Sequence, residues 1–256
     1  MLSVNEISQY YPEHLRVFKR FILREYLQYK ILEIIFNGPY AEKLVFLGGT
    51  CLRLIHQNQR FSEDLDFDNF DLHFNEFDEI SKNIRTELEF AGYTIETNQV
   101  AKGAYHCYIR FPMLLYGYTE EKILIQLDTE PQHFNFKPDQ PILNKFDVFT
   151  RIFATPPDLL MSQKCFAILN RSRNKGRDFF DLIFLMGRGI YPNMEYLNQK
   201  YGINTPDELK ARLLDKCQTL NMDEMAKDVA PFLFKPVDQN KIRLFADYLK
   251  EYSFVK

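Results

Sequence analysis

The sequence has no tryptophan, and its 256 residues include only four cysteines and 10 glycines. Cys51, Cys107, Cys165 and Cys217 lie far apart and form no Cys-x-x-Cys pair, which argues against a structural zinc site. Each sits among apolar residues, as a reduced, buried thiol would, so the expected compartment is the cytoplasm. No apolar run approaches the length needed to span a membrane, and the N-terminal stretch lacks the apolar core of a secretory leader. No His-Glu-x-x-His, Gly-x-Ser-x-Gly or Walker A sequence occurs, so zinc-protease, serine-hydrolase and P-loop chemistries fall away. His14, His56, His73, His106 and His133 have no paired spacing and are read as structural or exposed. An excess of positive charge is missing too. With 32 Lys and Arg against 35 Asp and Glu, any contact with nucleic acid must come from a local patch.

Apolar residues, in contrast, are plentiful. The 46% hydrophobic content, with 24 Phe and 15 Tyr, is enough to bury a core in one domain or two small ones and argues against disorder. Leu15 to Phe36 carries apolar residues at helical spacing and ends at the turn residues "NGPY". "KLVFL" predicts a short buried strand, "TCLRLIHQ" a helix and "SEDLDFD" an alternating strand. Phe74 to Gly92 predicts a helix with Gly92 as its C-cap. "YTIETNQV", "YHCYIRF" and "KILIQLDTE" are strand candidates. From Pro156 the pattern is helical almost to the end; Thr205 predicts an N-cap, with Glu208 closing a capping box. The fold class is α+β: a mixed β-sheet with flanking helices, followed by a helical C-terminal part. The expected organisation is an α/β core over 1–150 with an N-terminal helix, then a helical domain over 151–256, with "ATPPDL" as the hinge.

The chemistry concentrates in "FLGGTCLRLIHQNQRFSEDLDFDNF", Phe46 to Phe70. Two glycines between a strand and a helix let the backbone approach a ligand closely, and the helix N-terminus suits a phosphate. Asp64, Asp66 and Asp68 alternate with Leu65 and Phe67, so the three carboxylates are expected on one strand face. Carboxylates two apart on a strand suit a hard cation such as Mg²⁺, which takes few carboxylates plus substrate phosphate and water. An EF-hand loop is excluded, because Asn69 stands where its glycine is needed. Taken singly, the glycine pair reads as a turn and the aspartates as a solvated face. Together they predict one site, since a strand–glycine–helix–strand hairpin returns Asp64 and Asp66 to the helix N-terminus.

"LGGT" followed by "RFSEDLDF" resembles the nucleotidyltransferase (polymerase beta-like) superfamily and, within it, the AbiEii/AbiGii toxin family. The stretch "PPDLLMSQKCFAILNRSRNKGRDFFDLIFLM", Pro156 to Met186, is similar to that family's helical motifs: a Lys, a basic turn, then Arg-Asp-x-x-Asp-Leu. The resemblance covers roughly Leu44 to Met186. It implies a nucleotidyltransferase fold and transfer of NMP from an NTP, with pyrophosphate release, to an acceptor such as a tRNA 3′ end. It also implies an AbiEi-like antitoxin encoded alongside.

The resemblance assigns Asp64 and Asp66 to Mg²⁺, and Gly48, Gly49 and Thr50 to the β- and γ-phosphates. Ser62 is either a phosphate contact or a strand-start hydroxyl. The superfamily's third carboxylate falls on Asp128, which either helps activate the attacking hydroxyl or faces water at a strand end. Lys164 matches the family's lysine and implies a triphosphate contact, although a lysine there also fits one that snorkels to solvent. Arg171, Arg173, Lys175 and Arg177 form either a solvated loop or a guide for a tRNA end and phosphates, with Arg177 the candidate nucleotide contact. Asp178 and Asp181 share a helix face. The family match places at least one in the active site and Asp178 is favoured; Asp178 also suits a helix cap, and Asp181 suits holding Arg177 or Lys164. Two other readings stay open: a non-catalytic nucleotide- or partner-binding protein, and a transferase acting on a protein or small molecule.

Overall fold

A computed structural model describes residues 1–102, 104–115, 117 and 122–255. The chain divides into two compact units, Met1–His56 with Phe61–Ala154, and Gln57–Arg60 with Thr155–Lys256.

The first unit opens with α1 (Val4–Gln9), capped by Ser3 and Glu6, whose side chains satisfy each other's backbone N–H groups. Next comes α2 (Lys19–Phe36), without Gly or Pro and ended by Asn37 and Gly38. It begins later than the sequence pattern suggests, because Glu13–Leu15 forms a separate 3₁₀ turn. β1 (Leu44–Leu47) runs into α3 (Gly48–Leu54), which starts at the first glycine, two residues before the helix predicted over "TCLRLIHQ". β2 (Leu65–Asn69) begins three residues after Ser62, so the strand is shorter than "SEDLDFD" predicts. α4 (Phe74–Phe90) has Gly92 just past its end. β3 (Glu96–Lys102), β4 (Ala104–Pro112) and β5 (Lys122–Glu130) follow, then a hairpin of β6 (Ile142–Lys145) and β7 (Val148–Arg151) that no sequence signal announced.

The sheet order is β1-β2-β5-β4-β3, antiparallel except for the central parallel pair β2–β5. Alternation gives it two unlike faces. Leu65, Phe67, Ile109, Phe111, Ile123, Ile125 and Leu127 are buried on one. There α2 and α4 cover them, with Phe36 against Phe67 and Phe77 against Tyr105. Each such side chain contributes about 1.5–3 kcal/mol of transfer free energy. The opposite face carries Asp66, Gln126, Asp128, His106 and Tyr108, all half-buried.

The second unit comprises α5 (Pro157–Asn170), α6 (Gly176–Gly187), α7 (Met194–Tyr201), α8 (Pro206–Gln218), α9 (Met222–Val229), α10 (Gln239–Arg243) and α11 (Phe245–Glu251). Its core includes Leu159, Ile168, Phe179, Leu182 and Phe245. Thr205 caps α8 by accepting from the Glu208 N–H, but Glu208 itself reaches the Asn204 N–H, one residue short of the predicted box. No described helix is long and apolar enough to cross a membrane. All four cysteines are free and buried.

Candidate active site

The glycine turn and the aspartates meet as a consequence of strand register. β1 and β2 pair so that Leu47 lies opposite Asp66, which places Gly48 at the head of α3 against that aspartate. Gly48 has φ +80, a left-handed conformation that disfavours any side chain, and the Asp66 carboxylate fills the space a Cβ there would need. Thr50 is fully buried and its hydroxyl donates to the Asp64 carbonyl, which ties α3 to the start of β2. A phosphate contact from Thr50 is thereby left to its backbone N–H.

Asp64 and Asp66 are half-buried, with Leu65 buried between them, so both belong to the polar side as the alternation predicts. Asp68 departs from that expectation of a shared site. It is 1% exposed, and its Oδ1 accepts from the Gln132 N–H at 2.8 Å, fastening the chain that leaves β5. Beside Asp64, Arg24 of α2 pairs with Glu63 at 2.6 Å. Burial lowers the Arg24 pKa against the opposing pull of Glu63 and, more weakly, Asp64. Ser62 is half-buried, and its carbonyl accepts from Gln28 Nε2.

Asp128 is the register partner of Asp66 across the parallel pair. Neighbouring strands lie about 4.8 Å apart, so the two carboxylates rise from adjacent points of one face. His106, opposite Asp128 on β4, has Nδ1 2.6 Å from Asp128 Oδ1. Gln126 Nε2 lies 2.9 Å from both Asp128 oxygens. His106, one of the five histidines read from the sequence as structural or exposed, is thus in contact with a candidate site residue. Its spacing carries no motif; only the β4–β5 register reveals it. Among the described residues, no three His, Cys, Asp or Glu side chains gather closely enough to hold a metal ion by themselves. A pair such as Asp64 and Asp66 suits Mg²⁺ with phosphate and water completing its shell.

The second unit holds the other candidate residues. Asp181 is completely buried; Arg60 grips it with Nε and Nη2, both at 2.7 Å, Asn58 Nδ2 donates at 2.7 Å, and Lys164 Nζ lies at 2.8 Å. Burial opposes its charge, but Arg60 and Lys164 outweigh burial and hold its carboxyl below the usual range. Burial likewise opposes the charge on Lys164, and Asp181 and Asp178 overcome it, raising the lysine's pKa. Lys164 is 8% exposed and lies 3.1 Å from Asp178, so it does not snorkel to solvent. Arg171 approaches Asp178 Oδ2 at 3.3 Å as an ion pair without hydrogen-bond alignment. Asp178 does not cap α6; the Gly176 N–H is taken by Asp228 at 2.9 Å. Arg177 lies over the Phe232 ring at 4.8 Å, while Arg171 and Arg173 are exposed. Of the two aspartates, Asp181 is the anchor for Lys164 and Arg60, and Asp178 links Lys164 to the basic turn.

None of the curated proteins compared matches the chain. Solved structures do. A nucleotidyltransferase structure from H. pylori is 16% identical, with 91% of this chain and 95% of that chain covered and a TM-score of 0.54. JHP933 from Helicobacter pylori is 18% identical, with coverage of 91% and 94% and a TM-score of 0.50. MenT4, a nucleotidyltransferase toxin from Mycobacterium tuberculosis, is 14% identical, with coverage of 99% and 91% and a TM-score of 0.59. At these identities the likeness shows a shared fold and nothing finer. The family model described as nucleotidyl transferase AbiEii toxin, type IV TA system, matches residues 30–250, so the chain belongs to that family and is a nucleotidyltransferase.

Proposed function

We propose that this chain transfers a nucleoside monophosphate from an NTP to the 3′ end of an RNA, with tRNA the favoured acceptor, in a Mg²⁺-dependent reaction in the cytoplasm. The observation that carries this reading is the pairing of Asp66 with Asp128 on adjacent strands, with the Gly48 backbone packed against Asp66. That arrangement fits a hard cation and a polyphosphate: oxygen donors stand beside a side-chain-free turn that opens a helix. Asp64 and Asp66 would hold Mg²⁺, which when bound offsets the charge of the phosphates and the leaving pyrophosphate. Gly48, Gly49 and Thr50 offer backbone N–H groups to the β- and γ-phosphates, and Ser62 is a further candidate phosphate contact. Asp128 orients the attacking hydroxyl and accepts its proton. Catalysis rests chiefly on position, since a fixed in-line geometry supplies most of what phosphoryl transfer needs.

The helical unit is proposed to complete the machinery. Lys164, kept charged by Asp181 and Asp178, is assigned to the triphosphate on its motif, with Asp181 anchoring it and Asp178 linking it to the basic turn. Arg171 and Arg173, exposed on the turn before α6, favour a polyanionic acceptor, and Arg177 joins them as a nucleotide contact. An AbiEi-like antitoxin is the expected partner.

The test is to incubate the protein with Mg²⁺, each α-labelled NTP in turn and total bacterial tRNA, beside a protein-only control. Label is expected in tRNA with the wild type and absent with Asp66→Ala. Label in protein alone would overturn the RNA acceptor, and no label anywhere would overturn the assignment.

A further inference from the structure

Asp128 is held by two side chains of the sheet itself, His106 and Gln126, and that setting has a consequence for the reaction. An ionised carboxylate only accepts hydrogen bonds, so the 2.6 Å contact requires His106 Nδ1 to carry the proton. That N–H is present in both the Nδ1–H tautomer and the imidazolium, so the contact does not depend on the ring's charge. Both side chains are 29% exposed, which shields the bond from full competition by water. Gln126, two residues along the same strand and on the same face, adds a second donor that spans both carboxylate oxygens. On its other side Asp128 adjoins Asp66, a like charge at a register-paired position. Left alone, Asp128 would rotate away from that neighbour, and His106 and Gln126 fix its plane.

We propose that His106 is a positioning residue for nucleotidyl transfer, holding the Asp128 carboxylate in place and acting only through it. This rests on the reading of Asp128 as the group that engages the acceptor hydroxyl.

Single-turnover transfer of label from NTP to tRNA, with enzyme in excess, tests it on wild type, H106A, H106N, D128N and the double variant H106A/D128N. H106A is expected to slow the transfer step about 10- to 100-fold, as loss of a supporting hydrogen bond commonly does, with KM for the NTP unchanged. H106N, whose amide still offers an N–H, recovers part of the rate. In the D128N background H106A has no further effect, since the two act as one unit. The inference is overturned if H106A leaves the rate unchanged while D128N abolishes or slows it. A multiplicative loss in the double variant overturns it as well. A wild-type rate for D128N removes the role of Asp128, and this inference falls with it. A readout independent of turnover is the His106 Nδ1–H resonance, expected well downfield in the wild type and shifted upfield in D128N. An unmoved resonance would also overturn the proposal.

Discussion

The carboxylate of Asp66 occupies the space that a side chain on Gly48 would need, and Gly48 at φ +80 already has a backbone that disfavours one. Gly48→Ala therefore meets two obstacles. The left-handed backbone costs an alanine roughly 1–2 kcal/mol, and the new methyl must push Asp66 off its position beside Asp128. Transfer is expected to fall on the order of 100-fold, the usual result of displacing a reacting group by an ångström. Circular dichroism should show the fold retained. Activity near the wild-type level would mean that Asp66 is not held where the chemistry occurs.

Thr50 makes the second tie between α3 and β2, through its hydroxyl and the Asp64 carbonyl. Thr50→Val keeps the volume and removes the donor. In this fully buried position the loss is expected to cost about 1–3 kcal/mol, because a buried hydrogen bond is removed. Thr50→Ser, which keeps the hydroxyl, should cost less. Urea midpoints for the pair would check this, and equal midpoints would show that packing rather than the hydrogen bond anchors α3.

Asp181 gives a pH signature in the helical unit. Its folded pKa lies below the ordinary value of 3.8, so its ion pairs stabilise the fold above that pH. The contribution is lost as pH falls through the lower, folded value. Lys164 is shifted upward from 10.5, so its share is complete below that pH and is lost only as pH rises past its folded value. Between those limits the network is intact. Asp181→Asn leaves Arg60 and Lys164 buried with one fewer negative charge and is expected to cost about 3–5 kcal/mol at neutral pH. The stability gap between wild type and variant should narrow as the solution is acidified below pH 3.8, read by thermal melts across the acid range. A gap independent of pH would exclude the ionised pair as its source.

Much of the first unit was legible because its signals are local. The β1–α3–β2 hairpin is specified by Leu44 to Asn69 alone, with glycine supplying the turn and Leu65 and Phe67 setting the face. Less local features escaped. Asp66 and Asp128 meet because two strands distant in sequence pair in parallel, and no periodicity within either strand fixes that register. His106 carries no spacing motif; the alternation of "YHCYIRF" sets it on the face away from Cys107 and Ile109, but its contact with Asp128 depends on the β4–β5 register. The β6–β7 hairpin was missed because strands of four residues are too short to alternate convincingly. Asp178 looked like a cap for α6 until Asp228, from α9, took the Gly176 N–H. Arg60 and Asn58 gave no sign that they belong with Asp181, because the segment 57–60 joins the helical unit only through tertiary contacts.

The last prediction concerns Glu25, 3% exposed in the middle of α2. It receives Arg53 of α3 through Nε at 2.8 Å, Lys145 of β6 at 2.8 Å and the Tyr11 hydroxyl at 2.8 Å. Burial opposes its charge, but Arg53 and Lys145 prevail and hold its carboxyl below the usual carboxylate range. Its stabilising effect is therefore present above the ordinary glutamate pKa of 4.5 and is lost as pH falls through the lower folded value. Because Arg53 lies on the short helix that begins with Gly48, this carboxylate ties down the helix whose first turn is proposed to hold the phosphates. Glu25→Gln would strand Arg53 and Lys145 without their counter-charge, and a cost of about 3–5 kcal/mol is expected. A second effect should separate orientation from stability. At a temperature where the variant remains folded, transfer should slow and KM for the NTP should rise, because α3 carries the N–H groups assigned to the phosphates. Lowered stability with unchanged KM would confine Glu25 to the core and leave the turn anchored by its ties to β2.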